Sequence, residues 1–180
     1  MMTTIHEGTF PPGAATDEDG HRWLVMKFGG TSVASADRWA TIRDLIVERQ
    51  KAGYRPVVVH SALATVSNRL QTALDAAVDG DYREPYDDIV AVHVRLAAEL
   101  GLEGTELLAD ELGDLEQLLA GIRLIREISP RIQVKVMALG ELMATKLGAA
   151  YLRSQGIAVA WTDAREVLQR HANFDVRVIQ

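Results

Sequence analysis

The chain has 180 residues, 48% of them hydrophobic, with 19 Lys and Arg against 25 Asp and Glu, a net charge of −6 and no cysteine. That length suits one domain burying roughly 70% of its unfolded surface, and the apolar content excludes disorder over most of it. The acidic balance argues against a nucleic-acid binder, which needs clustered positive charge; the lack of cysteine excludes disulfides, thiolate metal sites and cysteine nucleophiles. No apolar run is long enough to span a membrane and no signal-peptide pattern occurs, so no membrane partner is expected and a cytoplasmic location fits best.

Residues 1–21 are rich in Thr, Gly, Pro and acid without apolar periodicity, and read as a flexible N-terminal tail. Residues 23–28 form a short apolar run stopped by Gly29-Gly30, the pattern of a buried strand entering a turn. Ser35 can cap the helix that follows, whose Trp39, Ile42, Leu45 and Ile46 share one face, and Gly53 ends it. Residues 55–60 are a second strand, with Pro56 tolerable only near its start. Strand, helix and strand together make one βαβ unit with a parallel sheet.

The middle of the chain is helical. Residues 68–78 form one helix, with Ser67 or Asn68 as its cap, and residues 79–88 read as an acidic solvated loop without metal-ligand spacing. Ile89, Val92, Leu96 and Leu100 form one amphipathic stripe; Leu107, Leu108, Leu112, Leu115, Leu118, Leu119 and Ile122 form another. These stripes are expected to face the core, while leaving a helical dimer surface, and so a homo-oligomer, open. Ser129-Pro130 opens a helix running to about Gln155, and residues 157–161 read as a third strand. The expected class is α/β: a three-layer αβα sandwich around a mainly parallel sheet.

Three segments could carry chemistry. Lys27-Phe28-Gly29-Gly30-Thr31-Ser32 sits at the carboxyl end of a strand, where open α/β sheets place ligands. Paired glycines let the backbone approach an anion, and their amides with the Thr31 and Ser32 hydroxyls can cradle phosphate. Lys27, set in an apolar strand, is expected to need an anionic partner if buried. Neither the Walker A spacing nor the dinucleotide fingerprint occurs. Ser61 and Ser67 follow the second strand and can direct hydroxyls into the same cleft. Glu141 follows a glycine among apolar residues and is a candidate for burial beside a cation.

Residues 25–33 (VMKFGGTSV) resemble the opening signature of the aspartate kinases, in the amino-acid kinase superfamily. In the same order, residues 57–70 (VVVHSALATVSNRL), Gly140-Glu141-Leu142-Met143-Ala144-Thr145 and residues 157–167 (IAVAWTDAREV) resemble three further motifs of that family. The resemblance implies the amino-acid kinase (carbamate-kinase-like) fold, with residues 22–180 as the N-terminal portion of the domain. It also implies transfer of the ATP γ-phosphoryl group to the side-chain carboxylate of L-aspartate. The product would be 4-phospho-L-aspartate, the first step toward lysine, threonine and methionine, with ATP as co-substrate and Mg2+ accompanying it. By matching position, Lys27 would stabilise the transferring group and Gly29, Gly30, Thr31 and Ser32 would hold ATP phosphates. Ser61, Ser67 and Glu141 would contact aspartate, Ser67 standing where Thr is usual.

The chain departs from that pattern at His60, expected to be a packing substitution, and at Ala64-Thr65, which replace a small, often Gly-rich pair. The family's second Gly-rich segment, with its Ser-Asp pair, has no counterpart, so the chain reads as an incomplete catalytic domain. The competing reading is a non-catalytic binding or assembly module that keeps half of the kinase fold.

Overall fold

The computed structural model describes residues 20, 22–170 and 176–178, with side chains as far as Val167. The tail read over residues 1–21 therefore falls outside the described residues except at Gly20. Strands β1 (Arg22–Phe28) and β2 (Tyr54–His60) pair in parallel, from Arg22 opposite Tyr54 to Phe28 opposite His60. Helix α1 (Ala36–Lys51) joins them, as the apolar spacing predicts. Pro56 lies within β2 without harm because β2 is an edge strand in this two-stranded sheet.

Side chains alternate across the sheet. Met26, Phe28, Val58 and His60 turn toward the helices, whereas Trp23, Val25, Val57 and Val59 stay exposed on the other face, Val25 at 61% and Val59 at 47%. Lys27 belongs to that open face and is exposed, because the strand period turns it away from the core, so the condition under which it would need a buried anionic partner does not arise.

Beyond β2 come α2 (Val66–Asp79), α3 (Arg83–Glu99), the short α4 (Gly104–Leu107), α5 (Ala109–Ile125) and the long α6 (Pro130–Ser154). Ser129 caps α6, its hydroxyl accepting from the Ile132 amide at 3.3 Å, with Pro130 at the first helical position. The leucine stripes do face the core: Leu108, Leu115, Leu119 and Ile122 are fully buried. α3 also buries His93, on the same face as Ile89 and Leu96; its Nδ1 donates to the Ile89 carbonyl at 2.8 Å.

Three local expectations need correction. The acidic segment 79–88 is mostly helix, because Pro85 sits in the first turn of α3, where a missing N–H is harmless. Thr65, not Ser67 or Asn68, occupies the cap position of α2, and it does so at φ 71. Residues 157–161 form no strand. Their polar groups are taken by α6 instead: Arg153 Nε donates to the Val159 carbonyl at 3.0 Å and Trp161 Nε1 to Thr145 Oγ1 at 3.1 Å. After the short α7 (Ala164–Val167), β3 (Leu168–Arg170) and β4 (Val176–Val178) pair antiparallel, a hairpin that the sequence reading did not anticipate. Among the described residues, no helix is long and apolar enough to cross a membrane.

One side chain ties these layers together. Trp39 is 1% exposed, donates from Nε1 to the Val33 carbonyl at 3.0 Å, and meets His60 and Tyr151 edge-on at 5.3 and 6.1 Å. Its indole lies against Gly148 of α6 so closely that a Cβ there would overlap the ring. Gly148→Ala is therefore expected to destabilise the chain by about 2–3 kcal/mol in urea unfolding; a loss under about 0.5 kcal/mol would contradict this packing.

Burial pushes both His60 and His93 below the ordinary histidine range. The folded state thus keeps them neutral while the unfolded chain takes up protons first, so stability is complete above about pH 6.5 and declines as pH falls below it. The Tm is expected to drop between about pH 6.5 and 5, and His93→Asn to flatten that drop. A Tm that rises on acidification over this window would contradict both burials.

Candidate functional site

The loops leaving β1 and β2 are joined by their backbones. The Ser61 amide donates to the Phe28 carbonyl at 3.3 Å, and the Ala64 amide to the Gly30 carbonyl at 3.2 Å. After Gly29 the chain tightens at once into a single 3-10 turn, Gly30–Val33, with the Ser32 amide donating to the Gly29 carbonyl at 2.9 Å. A Cβ on Gly30 would lie 2.5 Å from the Ala62 oxygen and 3.2 Å from the Ala64 nitrogen. Only glycine allows this approach of two main chains.

The same segment is gripped from the other side by α6. A Cβ on Gly140 would meet Leu70 Cδ1 at 2.8 Å, Val66 Cγ1 at 3.0 Å and Ala62 Cβ at 3.4 Å. Gly140 therefore brings α6 onto the start of α2, and the next residue, Glu141, comes to line the same groove as Ser67. Both line an open groove of about 400 Å3, with Gln133, Val134, Met137 and Ala138. Glu141 is exposed rather than buried beside a cation, which corrects the expectation for it; its place at the groove wall follows from Gly140, not from an ion pair.

The predicted residues thus fall into two groups. Gly29, Gly30, Thr31, Ser32 and Ser61 share the bonded loops at the strand ends, with Thr31 exposed and the others half-buried. Ser67 and Glu141 form the groove. Lys27, Thr31, Ser32 and Ser61 are not among its lining side chains. Sequence reasoning missed Gln133 and Met137, although both recur at helical spacing before Glu141 and so share its face of α6.

His60 sits beneath these loops as a packing group. It is 8% exposed, and its Nδ1 lies 3.0 Å from the Ser61 carbonyl, which can only accept, so that nitrogen carries the proton. Farther along, Arg165 clasps the buried Asp163 through both carboxylate oxygens, at 2.6 to 3.0 Å, and these hydrogen bonds hold the Asp163 carboxyl below its usual range. Lys146 pairs with the buried Glu111 at 2.6 Å and fastens α6 to α5. Among the described residues, no three His, Asp or Glu side chains converge as a metal cage.

Comparison with known proteins bears on this arrangement. The profile of the amino acid kinase family matches residues 22–180. Aspartokinase 3, chloroplastic, of Arabidopsis thaliana is 40% identical over 148 residues, covering 79% of this chain and 26% of that protein. Lysine-sensitive aspartokinase 3 of Escherichia coli K12 is 30% identical over 156 residues, covering 84% of this chain and 33% of that one. Among solved structures, E. coli aspartokinase III in complex with aspartate and ADP (R-state) matches with a TM-score of 0.68 at 28% identity, over 86% of this chain and 34% of that chain. The same enzyme with lysine and aspartate (T-state) gives a TM-score of 0.59. The chain thus spans about a quarter to a third of the length of these relatives. With the family's profile covering residues 22–180 and a solved member matching the fold at a TM-score of 0.68, the chain belongs to the amino acid kinase family.

Proposed function

We propose that the chain carries the phosphate loop and amino-acid groove of an enzyme that phosphorylates the side-chain carboxylate of L-aspartate from ATP, forming 4-phospho-L-aspartate in the cytosol. The observation that supports this reading best is the meeting of Ser67 and Glu141, distant in sequence, in one groove beside the bonded loops of Gly30 and Ala62. A hydroxyl facing a carboxylate suits an amino acid: Glu141 can receive the α-ammonium, and Ser67 can donate to a carboxylate.

The chemistry asks little more of the protein than position and charge. The nucleophile is a carboxylate, ionised at neutral pH, so no general base is needed. Glu141 is then a recognition group. Lys27, exposed at the end of β1, supplies positive charge toward the transferring phosphoryl group, and the amides at Gly29 and Gly30 supply donors to phosphate oxygens. Mg2+ would arrive on ATP, since the described residues offer no carboxylate cage of their own.

Trapping with hydroxylamine tests the reaction. The enzyme that carries this chain, incubated with ATP, Mg2+ and L-aspartate, is expected to yield aspartyl hydroxamate. Lys27→Ala is expected to lower turnover by about 10²–10³-fold, and unchanged turnover would remove Lys27 from the chemistry. Glu141→Ala is expected to raise the aspartate KM about tenfold with kcat little altered. Gly30→Ala, which drives a Cβ into the Ala62 carbonyl, is expected to cut activity at least as strongly as Lys27→Ala. Aspartate binding by that enzyme with no hydroxamate would favour the second reading, a binding module on the same fold.

A further inference from the structure

At the groove, Gln133, Met137 and Glu141 line the α6 wall and Ser67 the α2 wall, with Gln71 one turn beyond Ser67 on α2 and outside the lining. The walls are joined directly. Gln133 Nε2 donates to Gln71 Oε1 at 2.9 Å, and Gln71 Nε2 donates to Asp75 Oδ1 at 2.9 Å.

The order of these bonds is fixed by chemistry. A carboxylate at neutral pH offers only acceptors, so Asp75 must receive the Gln71 amine, which turns Gln71 Oε1 toward Gln133. Gln133 is consequently held with its amine toward α2. Its second N–H and its Oε1 have no protein partner among the described residues. All three side chains lie at the surface, where such bonds add little to folding and the ordering of two long amides opposes them. Stability is a poor reason for this chain of bonds; its position at the groove is a better one.

We infer that the Gln71–Gln133 bridge is a positioning device for the amino-acid substrate. It ties the wall bearing Ser67 to the wall bearing Glu141, and it offers the remaining Gln133 N–H to a carboxylate of the bound amino acid. The inference rests on the aspartate reading of the groove and adds to it a residue outside every matched motif.

Calorimetric titration of the 180-residue chain with L-aspartate tests it, alongside thermal unfolding. Gln71→Ala and Gln133→Ala are each expected to weaken binding about tenfold. Their Tm should stay within about 2 °C of the parent, because the bridge is exposed. The double variant Gln71→Glu/Gln133→Lys keeps an acceptor on α2 and a donor on α6, and is expected to recover affinity to within about threefold. Equal binding by the parent and Gln133→Ala overturns the bridge alone, as does an unrescued double variant. A parent chain that binds no aspartate removes the aspartate reading, and the bridge with it.

Discussion

Everything at the candidate site hangs on how Trp39 is seated. Its indole fills the space that a side chain on Gly148 would take, and its N–H holds the carbonyl of Val33. The ring edge also meets His60 at the end of β2 and Tyr151 on α6. A single buried aromatic thus fixes the relative positions of the turn after β1, the end of β2 and the long helix. Burial of so large a ring contributes several kcal/mol, and the hydrogen bond gives it one orientation rather than several.

From that anchor the site follows by close approach rather than by charge. Gly30 and Gly140 press on residues 62–70, one through main chain at Ala62 and Ala64, the other through the side chains of Ala62, Val66 and Leu70. The loops at the strand ends and the wall of α6 cannot separate without opening these contacts, so Ser67 and Glu141 are held in one groove although neither is buried. Thr65 lies in the same segment at φ 71, a conformation that costs a β-branched residue roughly 1–3 kcal/mol and that glycine adopts freely. The strain sits where two loops and a helix must meet, and the surrounding packing holds it.

Much of this was legible in the residues, and the failures have physical causes. The β-branched runs and the glycines marked β1 and β2; Ser129-Pro130 marked the start of α6; the leucine spacing marked the core helices. The predicted strand at residues 157–161 has the right composition and alternation, but strand formation needs a partner, and here the Val159 carbonyl and the Trp161 indole N–H bond α6 instead. The apolar neighbours of Glu141 made it a candidate for burial, and those of Lys27 left its exposure open. Composition cannot say which phase of the strand or helix faces outward; the register with β2 and the contact at Gly140 decide that. The cross-groove pair Gln71 and Gln133 carries no motif at all, and only tertiary packing brings the two together.

The central claim is that the groove between α2 and α6 takes an amino acid between Ser67 and Glu141. Titrating the ¹⁵N-labelled chain with L-aspartate, and following amide resonances residue by residue, tests it most directly. The account predicts saturable shifts at Ser67, Met137, Ala138 and Glu141, with Gly53, at the opposite end of the strands from the site loops, unmoved. Saturable shifts confined to residues outside the groove, or none at all up to millimolar aspartate, would contradict it.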